Sequence, residues 1–335
     1  VKAVRLTYLA IAVFTFFLVA LGGYVRGTGA GLACPDWPLC FGRLVPPDFG
    51  AGVLQEWAHR VLAKLVGVLS IAAVVLTYAR RAQYPRAYPA SLFLLVLVIV
   101  QGVFGGLTVL MLLNPYVVTT HLALGTIFFQ LTLLLAIEPR DRSEISSLHR
   151  IENHPDVAQD TIKFRRLLLW MSGLVFVQMI LGGFVGTSGA ALACPQLPYC
   201  PQLLVEDGRQ GARVMVVLHA LNGTLILLGG IALLVLARRS RALIRKRRGH
   251  LIGIVCLITV QVLMGLGIIH LGVPVALAVS HLVLAQILLA GFLSLYRDLN
   301  PQLRIFVPKT LNLGTLVARD QEVELPEPRR AAGAG

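Results

Sequence analysis

Charge is scarce in this chain of 335 residues, and negative charge scarcest. Only 14% of residues are charged, 16 acidic against 30 basic, where average soluble domains carry about 25%. That deficit, with 56% hydrophobic residues, excludes an ordinary soluble globule. The net charge of +14 would suggest nucleic acid, but its placement excludes that partner. Basic residues gather before the first apolar run (Lys2, Arg5), after the second (Arg80, Arg81, Arg86), between the fourth and fifth (Arg140, Arg142, Arg150, Lys163, Arg165, Arg166) and between the sixth and seventh (Arg238 to Arg248). The alternate loops hold few. This positive-inside asymmetry predicts both termini in the cytoplasm, and the cysteine-bearing loops on the outer face of a cell inner membrane. Anionic membrane lipids are compatible minor contacts for the basic loops.

Other absences narrow the reading. The first apolar run lacks a signal-peptide cleavage pattern and is read as a permanent span. No paired Gly/Pro interruption breaks the spans near their middle, which argues against a transporter. Eight stretches are long enough to cross about 30 Å of hydrocarbon: residues 5–26, 53–78, 88–112, 116–137, 165–186, 212–237, 250–270 and 274–296. Backbone groups in lipid must bond internally, so all are expected to be helices.

The halves repeat at a shift of 160. LGGYVRGTGAGLACPDWPLC from Leu21 and LGGFVGTSGAALACPQLPYC from Leu181 share 12 of 20 positions. The shift carries His59 onto His219 and His121 onto His281. Four spans per copy is an even number, so both copies face the same way. The expected fold is therefore all-α: two tandem four-helix bundles with a pseudo-two-fold axis along the membrane normal. The divisions are a first bundle over 1–137, a cytoplasmic linker over 138–164, a second bundle over 165–297 and a largely disordered tail over 298–335.

Within each copy both histidines lie on parallel spans, about 8–9 Å below the outer end at 1.5 Å per residue. Two matched intramembrane pairs suit axial ligation of haem iron. Zinc fits less well, because no carboxylate or thiolate stands at that depth in the second copy. Gly22, Gly23, Gly182 and Gly183 suit close approach of a ring, or of another helix. Cys34 with Cys40 and Cys194 with Cys200 are expected to form disulfides on the oxidising side, as staples of the outer loops or as redox-active pairs. Cys256, alone in the seventh span, reads as an inert apolar residue.

One row breaks the repeat. Glu56, Arg60 and Lys64 become Val216, Ala220 and Thr224. Glu56 shares a helix face with His59. It could form a plain pair with Arg60, hold a proton, or stabilise positive charge on a bound ring. Arg60 and Lys64 could neutralise haem propionates, or Lys64 could snorkel. His149, His154, His250 and His270 have no repeat partner and are assigned no role.

GTGAGLACPDWPLC, EWAHR, THLALG, LHALNG and SHLVLAQ, in that order across about residues 5–296, resemble the haem A synthase family. The resemblance implies an eight-span oxidoreductase that converts a ring methyl of haem O to a formyl group, giving haem A for cytochrome oxidase. It implies haem b between His219 and His281, substrate haem between His59 and His121, and Glu56 as essential. The first cysteine pair matches the bacterial pattern and is implicated in electron handling; the role of the second stays open. Implied partners are the haem O-producing farnesyltransferase and cytochrome oxidase assembly, with a homo-oligomer left open. The rival reading is a di-haem b electron-transfer cytochrome, which gives no reason for the polar row to occur in one copy only.

Overall fold

The computed structural model describes residues 2–50, 52–137, 155–195, 208–239 and 248–300, with the single residues 200, 203, 205, 303, 305 and 306. The described residues form eight long helices and no strands: α1 (Lys2–Gly27), α2 (Val53–Tyr78), α3 (Ala87–Leu110), α4 (Pro115–Ala136), α5 (Pro155–Thr187), α6 (Gln210–Arg239), α7 (Arg248–His270) and α8 (Val275–Asp298). Each contains a segment long and apolar enough to cross a membrane. The expected ends of 53–78 coincide with α2. The expected start at 165 does not coincide with α5, which begins ten residues earlier. The last part of the 138–164 linker is therefore helix, opened by Pro155, a residue suited to a first helical turn. Residues 138–154, with His149 and His154, lie outside the described residues, as does most of the tail. Part of the tail is placed, however. Ile305 and Phe306 pack against the first core, and the Phe306 ring lies 6.2 Å from Tyr8 and 6.1 Å from Tyr84.

Local signals explain the boundaries. Asn114 caps α4 by accepting from the Tyr116 N–H at 3.0 Å, with Pro115 next, a strong helix start. Gly52 precedes α2 with φ of 89°, and a β-carbon there would stand 2.8 Å from the Ala30 β-carbon. The turns into α4 and α8 share one hydrogen-bond pattern. Leu113 N–H donates to Thr108 O at 2.8 Å, and Val273 N–H to Ile268 O at 2.7 Å, residues related by the same shift of 160.

In the first half α1 and α3 each pack on both α2 and α4; in the second, α5 and α7 each pack on both α6 and α8. Between halves, α4 meets α5 and α8, and α1 meets α8. Two apolar cores fill the inner parts of the halves. One holds Tyr8, Ile11, Val66, Leu94 and Phe128; the other holds Leu168, Met171, Ile226, Ile258 and Phe292. Val66, Phe128, Ile226 and Leu288 each stand seven residues past a histidine, so tight packing is reached about two turns below the imidazoles. Small clusters around the cysteines close the opposite ends. The histidine level lies between these packed layers.

Polar bonds join the halves where lipid offers no competing partner. Gln130 Nε2 donates to Gln286 O (3.0 Å) and Oε1 (3.2 Å), and Gln286 Nε2 donates to Thr126 Oγ1 at 2.8 Å. Arg26 reaches Thr187 O at 2.7 Å, and Arg297 reaches Leu134 O at 2.8 Å. Interhelical bonds in membranes contribute about 0.6 kcal/mol on average and at most about 1.7. Gln286→Leu should therefore lower stability by about 1–2 kcal/mol, measured by unfolding in mixed micelles.

Candidate functional site

Each of the four spanning histidines lies against a glycine of the neighbouring helix. A β-carbon on Gly22 of α1 would stand 2.9 Å from Cε1 of His59 on α2. The matching distances are 3.2 Å from Gly105 of α3 to His121 on α4, 2.8 Å from Gly182 to His219, and 3.5 Å from Gly265 to His281. Real β-carbons essentially never approach within 3.0 Å, so Gly22 and Gly182 admit the rings only by lacking a side chain. In all four rings Nδ1 is buried without a hydrogen-bond partner, which leaves ring nitrogens that an apolar span should not strand.

The two glycines of each pair divide the two roles expected of them. Gly22 and Gly182 take the imidazole of their own half. Gly23 takes Leu282, which follows His281, and Gly183 takes Leu122, which follows His121, at 2.9 and 2.7 Å from a built β-carbon. Ring approach and helix approach thus occur at adjacent residues, and each half's histidine level touches the other half.

Gln101 Nε2 donates to the His121 carbonyl at 2.9 Å, and Gln261 Nε2 to the His281 carbonyl at 3.0 Å. These bonds fix the turn that carries each histidine. Gly105, Gly265, Gln101 and Gln261 were not among the expected site residues. The shift of 160 relates them as it relates the histidines, so the signal was present in uncharged residues.

The polar row divides. Glu56 is 4% exposed. It accepts from the Cys34 N–H at 2.7 Å and from Arg60. Arg60 also donates to the carbonyls of Asp36 (2.5 Å), Cys34 (3.2 Å) and Leu39. The two residues clamp the loop closed by the Cys34–Cys40 disulfide onto α2, one turn from His59. A solvent-exposed pair contributes about 0–1 kcal/mol, whereas hydrogen bonds to buried charged groups contribute about 1.5–3 kcal/mol each. This cluster is of the second kind. Trp37 of the same loop lies on α3, 2.8 Å from a β-carbon built at Gly106. Lys64 does not join the cluster. It is exposed, about 140° around α2 from His59.

The second half has a different polar group. Asn222 Nδ2 donates to Gln178 Oε1 at 2.8 Å and to Leu174 O at 3.0 Å, and Gln178 Nε2 lies 3.3 Å from Nε2 of His219. The first half has Leu18 and Leu62 at these positions. Val216, opposite Glu56, is buried beside the Cys194–Cys200 disulfide, and Arg213, 1% exposed, donates to Val205 O at 3.0 Å. His250 and His270 end α7, and Cys256 is an exposed free thiol.

Among the described residues no three His, Cys, Asp or Glu side chains gather as a metal cage; the spanning histidines fall two in each half. Fold and site together define a multi-pass membrane protein with two glycine-packed spanning histidines in each half and a buried carboxylate beside one of them. The family model for cytochrome oxidase assembly proteins, COX15-CtaA, matches residues 5–51 and 47–293, and the chain belongs to that family. It is 28% identical over 305 residues to a haem A synthase of Shewanella oneidensis, covering 80% of this chain and 88% of that one. It is 29% identical over 202 residues to a haem A synthase of Symbiobacterium thermophilum (59% and 64%). A haem A synthase of Geobacillus kaustophilus is 34% identical over 137 residues (39% and 42%).

Asp36, outside the spans, accepts from Gly42 N–H at 2.8 Å and Phe41 N–H at 2.6 Å. The Gly42 bond, then the Phe41 bond and the Arg60 charge, outweigh burial and hold its carboxyl below the ordinary value. A depressed folded-state pKa means a contribution present above the ordinary carboxylate pKa of about 3.9 and lost as pH falls through the lower folded value. The Phe41 and Gly42 amides should be protected from hydrogen exchange at pH 5 and lose that protection as acid is added below pH about 3.9.

Proposed function

We propose that this chain is a haem A synthase, oxidising a ring methyl of haem O to a formyl group, with its first half as the reaction site. The observation that carries the division of labour is Glu56, buried one turn from His59 and absent from the second half. The reading has residues 1–137 and 165–297 as tandem bundles about a pseudo-two-fold axis; the matched helix packing of the halves supports it. Basic loops support cytoplasmic termini, with the disulfide loops on the outer face of the inner membrane.

His59 and His121 would hold the substrate haem, and His219 and His281 a haem b. The fit rests on buried imidazole Nδ1 atoms without a partner, two in each half, and on Gly22 and Gly182, where a β-carbon would run into the ring. Bound haem b would supply a one-electron conduit that passes electrons taken from the methyl group on, one at a time, to an acceptor outside this chain. Gly22, Gly105, Gly182 and Gly265 set each imidazole's position, while Gln101 and Gln261 hold the turns of His121 and His281. Glu56 would either take a proton released at the methyl carbon or, as the carboxylate, stabilise positive charge there. Arg60 orients Glu56 and docks the first disulfide loop over it. The cysteines of that loop, Cys34 and Cys40, lie next to Glu56 and so near the electrons being moved; Cys194 and Cys200 shape the second loop. Family membership supports a link to cytochrome oxidase assembly and to the farnesyltransferase that makes haem O.

Glu56→Gln keeps size and most hydrogen bonding but cannot take a proton. General base contributions run to about 10²–10⁴-fold. The variant should retain both haems and yield at least about 100-fold less haem A, with haem O in its place, by chromatography of extracted haems. Haem A at wild-type yield would remove Glu56 from the reaction. Gly182→Ala, which places a methyl against His219, should cost the low-spin absorbance of the second site while leaving the first occupied.

A further inference from the structure

Lys64 stands where a cation is least tolerated. It is the twelfth of 26 residues in α2, about 17 Å of rise from one end and about 21 Å from the other. With about 30 Å of hydrocarbon centred on this helix, its Cα is about 13 Å from the nearer boundary. A four-carbon stem spans about 6 Å, so the ammonium cannot snorkel to the head groups as lysines near helix ends do.

Its direction is equally specific. Buried Val66, Ser70, Ala73 and Thr77 mark the face of α2 shared with His59. Val61, Leu65, Val68, Ile71 and Val75 are exposed, and Lys64 sits among them. No ion pair or hydrogen bond reaches it among the described residues. A β-carbon on Gly67, three residues on, would meet nothing within 4 Å, so a neighbouring backbone has room to close in. Intramembrane charges almost always face an interior or a partner, and here the interior lies on the opposite side.

We propose that this face of α2 is an intramembrane docking surface for a transmembrane helix of another protein, one carrying a carboxylate near mid-span. Charge complementarity selects the occupant. Lipid phosphates are out of reach, and a ligand between His59 and His121 lies across the helix. A second copy of this chain cannot supply the group. The only carboxylates within the eight candidate spans are Glu56 and Asp298, and both are buried and bonded to arginine. The inference stands apart from the catalytic reading.

The test uses the full chain, labelled with a donor fluorophore, in phosphatidylcholine vesicles at pH 8. The probes are two acceptor-labelled synthetic single-span leucine-rich helices, one with Glu and one with Gln at the central position. Energy transfer should show the Glu helix binding roughly tenfold tighter. Lys64→Met should abolish that preference, and Lys64→Arg should keep it, which also controls for folding. Equal binding of the two probes by the wild type, or a preference that survives in Lys64→Met, would overturn the proposal.

Discussion

The contact between an imidazole and a glycine, made four times, is what the rest of the structure depends on. A spanning histidine surrounded by full-sized side chains would be squeezed out of its level or packed over. The missing β-carbon makes room for the ring of His59 at Gly22 and of His219 at Gly182, and eases that of His121 at Gly105, while Gly265 stands at ordinary contact distance from His281; Nδ1 of each ring keeps no partner. The apolar cores begin about two turns inside that level and the disulfide clusters lie outside it. The packed layers above and below thus hold the helices at the spacing the rings require. Gly23 and Gly183 then bring the two levels together by admitting a leucine from the other half.

On this shared frame the halves differ in where their polarity sits. The first places it toward the disulfide loop, with Glu56 and Arg60 binding the loop backbone onto α2 one turn from His59. The second spends it inward, with Asn222 holding Gln178 against His219, and leaves Val216 where Glu56 would be. A carboxylate held by a loop N–H and a guanidinium suits proton handling; a neutral amide beside an imidazole suits holding a ligand unchanged. On the proposed reading, a few substitutions on a shared pattern of helix packing separate a reacting half from an electron-handling half.

Much of this was legible in the residues. Long apolar runs delimit the spans because lipid leaves the backbone no alternative, and the shift of 160 pairs the histidines without any structure. The start of α5 was not legible, because Asp156, Asp160 and Lys163 interrupt hydropathy without interrupting a helix. Arg60's pairing with Glu56 was legible from their i, i+4 spacing, but its bonds to the loop carbonyls were not, because backbone carbonyls leave no mark on residue type. Gln130 and Gln286 meet across the halves although the shift does not relate them to each other. Such a contact shows only when the bundles are packed together.

The central claim is that two alike sites hold different haems and that only one changes its occupant. Extracting and separating the haems of the wild-type chain, purified from its own membrane, addresses that claim most directly. The account predicts haem B together with haem O or haem A, in comparable amounts. Haem B alone would contradict it and leave an electron-transfer cytochrome in its place.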